Sequence, residues 1–233
     1  PEDVLNNVLA KFGFSSVLKN KKVLMTAGPT IEYIDPIRAI TNLSSGKTGT
    51  LLASELISAG AKVTLVYGPG NQIPTKGIKV INVITSKEMF DAVKKELQKK
   101  YDIVIMAAAT SDYTPQNPSK SKIKSDKKSL VIRLKKTPKI IDIVKKYQKN
   151  TLLVGFKAET NLSKNALIKS AKMKIKETGA DMIIANDIGK KYQKNTNYNQ
   201  IIVVDDKKSI ISGWKKKEMI VKIIKNEIEK KLE

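Results

Sequence analysis

The sequence predicts an α/β fold in which a mainly parallel sheet lies between layers of helices, and three observations support this prediction. Apolar β-branched runs alternate with segments whose apolar residues recur at helical spacing. The run Ile103 to Ala108 is apolar throughout, which is typical of a parallel strand covered on both faces. Small and hydroxyl residues at Thr41 to Gly49 precede a predicted helix, where a Rossmann-like fold commonly binds phosphate.

The elements follow one another in an order that fits this fold. Val23 to Met25 opens a strand, Leu51 to Ala59 is predicted as a helix, and Ala61 to Tyr67 is a strand that ends at Gly68-Pro69-Gly70. The elements predicted after this βαβ unit are the strands Ile78 to Ile84, Ile103 to Ala108, Thr151 to Phe156 and Ala180 to Ala185, a helix from about Ser86 to Lys99 capped by Ser86, a lysine-rich helix through Ala171, a hairpin of Gln200 to Val204 and Ser209 to Ser212, and a last helix from about Lys215 to Leu232.

The segment from Asp112 to Lys128 interrupts this alternation with prolines, serines and lysines. Leu130 to Leu134 is predicted as a small strand after it, and Pro138 is predicted to open another helix. A solvated surface loop is the simpler interpretation of the segment. A flap over phosphate groups is the sharper one, because Lys120, Lys122 and Lys124 follow the carboxyl end of a central strand.

The composition excludes several classes of function. The 233 residues are 41% hydrophobic, enough for a sizeable core, and they contain neither cysteine nor histidine. Disulfides, cysteine nucleophiles, serine-histidine catalysis and most zinc sites are therefore excluded. No apolar run approaches the roughly 20 residues of a membrane span, so we expect a cytoplasmic protein with no membrane partner.

The formal charge of +22 raises the possibility of nucleic-acid binding. However, Arg38 and Arg133 are the only arginines, and aromatic residues make up 5% of the chain. Base recognition favours arginine and aromatic side chains, so the lysines are better explained as a solvated surface, and no nucleic-acid partner is expected.

The segment Gly46-Lys47-Thr48 resembles the end of a phosphate-binding P-loop, but Thr41 stands where that motif needs glycine. Pro36 and Arg38 also interrupt the strand that would precede a P-loop. The spacing of Gly28, Gly46 and Gly49 does not match the dinucleotide fingerprint either. The residues thus predict a phosphate site of another kind.

Seven segments together resemble the phosphopantothenate-cysteine ligase family. They are Thr26 to Thr30, Ile34 to Arg38, Asn42 to Lys47, Ala107 to Tyr113, Lys122 to Lys124, Gly155-Phe156 with Ala158 to Thr160, and Ala185 to Asp187. The resemblance covers nearly the whole chain in order and implies a ligase domain at 21-233 with a linker remnant at 1-20. Because this ligase is commonly the carboxyl-terminal half of a bifunctional protein, it also implies fusion to a flavin-dependent decarboxylase, with no flavin in this portion.

The resemblance implies a two-step reaction in coenzyme A synthesis. The carboxylate of 4′-phosphopantothenate attacks the α-phosphate of CTP to give an acyl-cytidylate and pyrophosphate, and the amine of cysteine then displaces CMP. Mg²⁺ is the expected cofactor, with ligands that the sequence does not designate. Such chemistry needs positioning and positive charge more than a titrating base, which suits a chain without histidine.

The resemblance also implies roles for individual residues. The implied catalytic residues are Asn42, Arg38 and Lys122. The implied nucleotide-binding residues are Gly28, Ser44, Gly46, Gly49, Ala107, Ala108, Ala109, Asp112, Lys122, Pro138, Lys139, Ile140, Ile141, Phe156 and Lys174.

Simpler roles remain open for several of these residues, such as a helix or turn cap for Asn42, a surface ion pair for Arg38 and a core aromatic for Phe156. Thr178 stands where the family has a second lysine, and Lys176 and Lys172 are the candidates to replace it. The resemblance further implies a homodimer, with Leu130 to Leu134 as a candidate contact. The alternative function is a Rossmann-like nucleotide-binding module or NAD(P)-linked reductase without ligase activity.

Overall fold

A computed structural model describes residues 15–126 and 128–233. Its elements, in chain order, are β1 Lys22–Ala27, β2 Ile31–Asp35, β3 Arg38–Thr41, α1 Lys47–Ser58, β4 Lys62–Tyr67, β5 Lys79–Asn82, α2 Ser86–Glu96, β6 Ile103–Met106, β7 Tyr113–Pro115, β8 Leu134–Lys136, α3 Ile141–Tyr147, β9 Leu152–Glu159, α4 Lys164–Thr178, β10 Met182–Asp187, α5 Lys190–Lys194, β11 Tyr198–Asn199, β12 Ile201–Val204, β13 Ser209–Ile211, β14 Lys215–Lys216 and α6 Lys217–Leu232.

The central sheet has eight strands in the order β13-β12-β10-β9-β6-β1-β4-β5. The six strands from β10 to β5 in this order are parallel, whereas β12 and β13 join the β10 edge antiparallel as a hairpin. The Rossmann-like α/β fold predicted from the sequence is confirmed. So is the carboxyl-terminal hairpin.

Helices cover both faces of the sheet because its central strands are apolar on both sides. In β1, Val23 and Met25 join one buried cluster, which contains α1 and α6 residues, while Leu24 joins the other, which contains α2 and α4 residues. Every residue of β6 is buried. This two-sided burial explains why these strands read as continuous apolar runs.

Several predicted boundaries were wrong. The strand predicted over Leu130 to Leu134 instead lies at Leu134–Lys136, where it pairs with β7. Val131 is 83% exposed, so an apolar, β-branched run without a packing partner did not form a strand. The cap of α2 is Thr85, whose Oγ1 accepts from the amide of Glu88 at 3.1 Å, and Ser86 is already helical.

Other element ends differ by a few residues. The helix predicted to open at Pro138 begins at Ile141, and α2 ends at Glu96 rather than near Lys99. The helix predicted from Leu51 begins earlier, at Lys47. Helix ends fray, so offsets of this kind are common at element boundaries.

β2 and β3 form a two-stranded antiparallel ribbon before the glycine-rich segment. The sequence indicated only that Pro36 and Arg38 interrupt a continuous strand there. Pro36 lies in its turn, and the ribbon pairs Ile31 with Thr41. The predicted flap between β7 and β8 lies against this ribbon, since the amide of Ser119 donates to the carbonyl of Ile34 at 2.8 Å.

Residues 1–14 of the predicted linker, 1-20, lie outside the described residues, as does Lys127 of the flap. In the described remainder of the linker, Leu18 is fully buried in the core beside α1. Within the described ranges, no helix combines the length and apolar character needed to cross a membrane.

Candidate active site

The candidate site lies at the carboxyl edge of the sheet, where β1 and β6 are neighbours. From β1 the chain proceeds to β4 and β5 on one side and then returns to β6 on the other. The loops that leave β1 and β6 therefore diverge and open a crevice, the usual ligand site of a doubly wound sheet. The amide of Ala108 donates to Thr26 Oγ1 at 3.2 Å and ties the two strand ends together.

The segment from Ser44 to Gly49, here called the glycine loop, carries the chain from the ribbon into α1. Gly46 caps the helix in a left-handed conformation, with φ of 76°, which glycine adopts without strain. A Cβ on Gly49 would lie 2.4 Å from Ala27 Cβ, so glycine lets α1 approach β1 closely. The amides of Thr48 and Gly49 have no hydrogen-bond partner in the described ranges and lie at the positive end of α1.

The glycine loop forms one wall of a cavity of about 320 Å³, the glycine-loop cavity. Its other walls come from the end of β6 and from the carboxyl-terminal part of the chain. None of its lining residues is acidic; the residues outside the glycine loop are Leu43, Ala107, Ala108, Ala109, Phe156, Ala158, Asn186, Ile188, Tyr192, Thr196, Asn199, Ile201 and Lys217.

Two cations reach the glycine-loop cavity. Lys217 is only 3% exposed; its Nζ donates to the Tyr192 hydroxyl at 2.9 Å and lies 5.1 Å from the centre of that ring. Lys47 is more exposed and is paired with Glu218 at 3.4 Å. Burying an ammonium group is costly unless an anion compensates it, so the cavity has the electrostatics of an anion site.

A second cavity of about 280 Å³, the strand-end cavity, opens beside the first. It is lined by the ends of β1, β6 and β9, the start of α3 and one side chain of α4; the residues are Thr26, Met106, Ala108, Ala109, Thr110, Asp112, Lys139, Ile140, Ile141, Phe156, Lys157, Ala158 and Lys174. The two cavities share Ala108, Ala109, Phe156 and Ala158, here called the shared wall.

Each lysine of the strand-end cavity has a carboxylate partner. Lys139 pairs with Asp112, and Lys174 pairs with Glu177 at 3.3 Å. Lys157 pairs with Glu159 at 2.9 Å, and its hydrogen bond lowers the pKa of Glu159 despite the opposing effect of burial. These pairs are partly exposed, so their side chains can exchange a carboxylate for a ligand phosphate at little cost.

Asn42 lies at the outer rim, next to the shared wall. Its Nδ2 donates to the carbonyls of Ala109 and Thr110, at 3.2 and 3.0 Å. The side chain therefore ties the segment before the glycine loop to the segment after β6. Because both bonds join distant segments of the chain, Asn42 does not cap a helix or a turn with its side chain.

Arg38 contacts the flap and lines neither cavity. Its Nη1 donates to Asp35 Oδ2 at 2.8 Å and to the carbonyl of Ile123 at 3.1 Å. Asp35 is buried and also accepts from the amides of Ile37, Arg38 and Ile123. Burial opposes ionisation, but these backbone donors and the guanidinium outweigh it and lower the pKa of Asp35. We call Asp35, Arg38 and Ile123 the flap clasp.

The predicted nucleotide-binding residues divide between the two cavities. Ser44, Gly46, Gly49 and Ala107 line the glycine-loop cavity. Asp112, Lys139, Ile140, Ile141 and Lys174 line the strand-end cavity, and Ala108, Ala109 and Phe156 line both.

Three of the predicted nucleotide-binding residues line neither cavity. Gly28 lies beneath the glycine loop, where a Cβ would come within 2.7 Å of the carbonyl of Gly68. Pro138 and Lys122 are exposed. Of the candidate replacements for the second family lysine, Lys172 and Lys176 are exposed away from the cavity, and Thr178 donates to the carbonyl of Lys174 at 2.7 Å.

Sequence reasoning assigned no role to Lys217, Tyr192 or Asn186. Asn186 is the second-last residue of β10 and is 8% exposed, and its side chain makes no hydrogen bond within the described ranges. A polar residue at the carboxyl end of a buried strand was the available signal for it. Nothing in the lysine-rich sequence around Lys217 distinguishes it from its neighbours, Lys215 and Lys216.

Carboxylates that could form a resident metal site are scarce in the described ranges. No group of three or more acidic side chains with metal-binding geometry occurs there, and Asp112 is the only acidic residue that lines either cavity. A single carboxylate is too few for an all-protein Mg²⁺ site. It fits an Mg²⁺ ion that is bound mainly by substrate phosphates and water.

Comparison with known proteins gives consistent results. The family model for the DNA/pantothenate metabolism flavoprotein C-terminal domain matches residues 18–232. The coenzyme A biosynthesis bifunctional protein CoaBC of Thermococcus kodakarensis is 47% identical over 188 residues, which is 80% of this chain and 46% of that protein. The chain thus spans about half the length of such relatives.

Two solved structures have the same fold. One is the crystal structure of the C-terminal domain of CoaBC, with a TM-score of 0.77 and 32% identity over 94% of this chain and 98% of that one. The other is the DNA/pantothenate metabolism flavoprotein of Streptococcus pneumoniae, with a TM-score of 0.79 and 29% identity over 89% of this chain and 98% of that one.

Proposed function

The chain belongs to the family of the DNA/pantothenate metabolism flavoprotein C-terminal domain, and on that premise we propose that it is a phosphopantothenate-cysteine ligase of coenzyme A biosynthesis. The proposed reaction uses CTP and passes through an acyl-cytidylate to phosphopantothenoylcysteine, CMP and pyrophosphate. The names of the relatives support the pathway, and the arrangement of the two cavities supports the chemistry.

One observation carries the proposal: two cavities meet at an uncharged shared wall, and the lysines of one have carboxylate partners whereas the buried Lys217 of the other has none. A nucleoside triphosphate is a molecule with one moderately polar end and one strongly anionic end. We place it across the shared wall, where Phe156 can contact the nucleotide and the alanines leave room for the α-phosphate. This placement uses the predicted nucleotide-binding residues of both cavities at once.

In the first step, a carboxylate oxygen of 4′-phosphopantothenate attacks the α-phosphorus. The new bond joins that oxygen to phosphorus, and the bond between phosphorus and the bridging oxygen of pyrophosphate breaks with its electron pair. In the second step, the cysteine amine attacks the acyl carbon and CMP leaves. The amine loses a proton to water, so neither step needs histidine or a protein thiol.

Asn42 is proposed to hold the acyl phosphate. Its present bonds to Ala109 and Thr110 place it beside the shared wall. An amide that both donates and accepts can follow the phosphate as charge moves from carboxylate to acyl phosphate.

Arg38 and Lys122 are proposed to act through the flap. The clasp formed by Asp35 and Arg38 fixes the flap near Ile123, one residue from Lys122. Lys122 is exposed, and closure of the flap would bring it towards the triphosphate.

Mg²⁺ is proposed to enter with the nucleotide, and Asp112 is the residue that could reach it. When bound, the ion would neutralise phosphate charge, as it does in other phosphoryl-transfer sites. The remaining proposals are a homodimer, a cytoplasmic location and fusion to a flavin-dependent decarboxylase, and the bifunctional relatives support the last of these.

Pyrophosphate release tests the proposed function. The purified chain should release pyrophosphate with 4′-phosphopantothenate, Mg²⁺ and CTP, whether or not cysteine is present, and should form CMP in a cysteine-dependent second step. Replacing CTP with ATP tests the choice of base. If folded protein binds nucleotide but releases no pyrophosphate with either, a binding module replaces the ligase.

A further inference from the structure

Lys217 is a buried cation that the fold itself does not neutralise. It is 3% exposed and makes no ion pair among the described residues, whereas the nearby Lys47 and Lys225 pair with Glu218 and Glu229 of α6. The contacts of Lys217 are the hydroxyl and ring of Tyr192. Tyrosine orients the ammonium group but supplies no negative charge.

Further unpaired donors line the same cavity. The Asn186 side chain is 8% exposed and has no hydrogen-bond partner in the described ranges. The amides of Thr48 and Gly49 at the start of α1 are also unpaired. A cation, a carboxamide and a helix amino terminus thus line a cavity without any acidic residue. This set of donors fits a multiply charged oxyanion.

We propose that Lys217 and Asn186 bind the β- and γ-phosphates of the nucleotide and, after the first step, the pyrophosphate leaving group. This inference rests on the proposed function. The strand-end cavity, whose lysines already have carboxylate partners, is left for the nucleoside and α-phosphate.

The position of Asn42 is compatible with this assignment. Asn42 lies beside the shared wall and lines neither cavity, and the proposed acyl substrate is placed next to it. Displacement at phosphorus proceeds roughly in line, with attacking and leaving oxygens on opposite sides. We assign the leaving oxygen to the glycine-loop cavity, because Lys217 and Asn186 line it. As the phosphorus-oxygen bond breaks, its electron pair goes to pyrophosphate, and Lys217 stabilises that added charge.

Calorimetric titrations with three probes test this assignment: inorganic pyrophosphate, CMP and CTP. In Lys217→Met, the dissociation constants for pyrophosphate and CTP should rise about ten- to hundredfold, because a charge-assisted hydrogen bond is lost. The constant for CMP should stay within twofold of the wild-type value. Lys225→Met, which removes one charge from the same helix away from the cavities, should bind all three probes as the wild type does.

Two further variants separate binding from folding. Lys217→Arg keeps the charge and should recover part of the pyrophosphate affinity. Asn186→Leu should weaken pyrophosphate binding but not CMP binding, and it supplies the test if Lys217→Met does not fold. In addition, Lys217→Met should melt at a higher temperature than the unliganded wild type, because an uncompensated buried charge has been removed.

Three outcomes would overturn the assignment. They are unchanged pyrophosphate affinity in Lys217→Met, an equal loss of CMP and pyrophosphate affinity in that variant, and unchanged pyrophosphate affinity in Asn186→Leu. Failure of the proposed function looks different: the wild type would bind pyrophosphate in a Lys217-dependent way but bind neither CTP nor CMP, which upholds an oxyanion site without a nucleotide.

Discussion

The two cavities beside β1 and β6 are similar in size but differ in how their positive charge is compensated. In the strand-end cavity, Lys139, Lys157 and Lys174 pair with carboxylates at a partly exposed rim. In the glycine-loop cavity, Lys217 is buried without a carboxylate. The charges of the strand-end cavity are compensated by protein groups, whereas the charge of Lys217 would be compensated only by a bound anion.

This difference has an energetic meaning. Paired surface charges contribute little to stability and little to a preference for one ligand. A buried unpaired cation lowers the stability of the empty protein and returns that free energy when an anion binds. The uncompensated positive charge is therefore concentrated in one cavity, and variants of the two cavities should behave differently.

The largest effect is expected at the shared wall. Asn42→Ala should lower kcat about 100-fold, because a donor to the reacting phosphate is lost, while CTP binding is kept. Rapid-quench measurement should show a burst of pyrophosphate followed by slow formation of phosphopantothenoylcysteine. Normal steady-state turnover with an intact fold would contradict this role.

A steric change should damage the glycine-loop cavity alone. Gly49→Ala places a Cβ 2.4 Å from Ala27 Cβ, so α1 must move away from β1. We expect a loss of about 1–3 kcal/mol in unfolding free energy and weaker pyrophosphate binding, with CMP binding retained. Urea denaturation measures the first effect. Ser58→Ala, at the far end of the same helix, is the control and should show neither effect.

The complementary change lies in the strand-end cavity. Lys174→Met should weaken CMP and CTP binding equally, by about three- to tenfold, and should leave pyrophosphate binding unchanged. Lys169, on the exposed side of α4, provides the control Lys169→Met. If pyrophosphate affinity falls as much as CMP affinity does in Lys174→Met, the division into two subsites is wrong.

The flap should contribute less than either cavity. Lys122→Ala should raise the Michaelis constant for CTP about two- to fivefold without changing the melting temperature, because the side chain is exposed before the flap closes. Lys128→Ala controls for the loss of one flap charge. An unaltered constant for Lys122→Ala would remove this residue from the site.

The smallest expected effect is a dependence on pH outside the usual working range. The pKa of Asp35 lies below its ordinary value of 3.8 in the folded chain, so ionised Asp35 stabilises the fold above that value. This contribution is lost as the pH falls through the lowered pKa. The melting-temperature difference between wild type and Asp35→Asn should therefore be constant above about pH 5 and shrink under more acidic conditions. A difference that changes between neutral pH and that point would assign the titration to another group.

The sequence predicted the parallel sheet well because β1, β6 and β9 carry their information locally, as apolar runs buried on both faces. It predicted the ribbon and flap poorly. There the strands are three to five residues long, and the contact between ribbon and flap depends on Asp35 and Arg38, whose partner Ile123 is far away in the sequence.

For the candidate site, the residue motifs located the glycine loop and the shared wall but not the carboxyl-terminal contribution. Lys217 is one of three consecutive lysines, and only burial distinguishes it from the exposed Lys215 and Lys216. That burial follows from the packing of α6 against α1, which no local pattern expresses. Pro138 and Lys122 show the opposite case. Their motifs predicted them as site residues, but both are exposed and line neither cavity.

The packing of α6 against α1 also determines when the site becomes whole. The glycine loop lies near the start of the domain, and Lys217 lies at the first residue of the final 16-residue helix. During synthesis or refolding, the strand-end cavity can form before this helix docks, since none of its lining residues belongs to it. The glycine-loop cavity cannot form before the helix docks. Pyrophosphate affinity should therefore be the last ligand-binding property to appear, and the time of its appearance would report when the last helix docks.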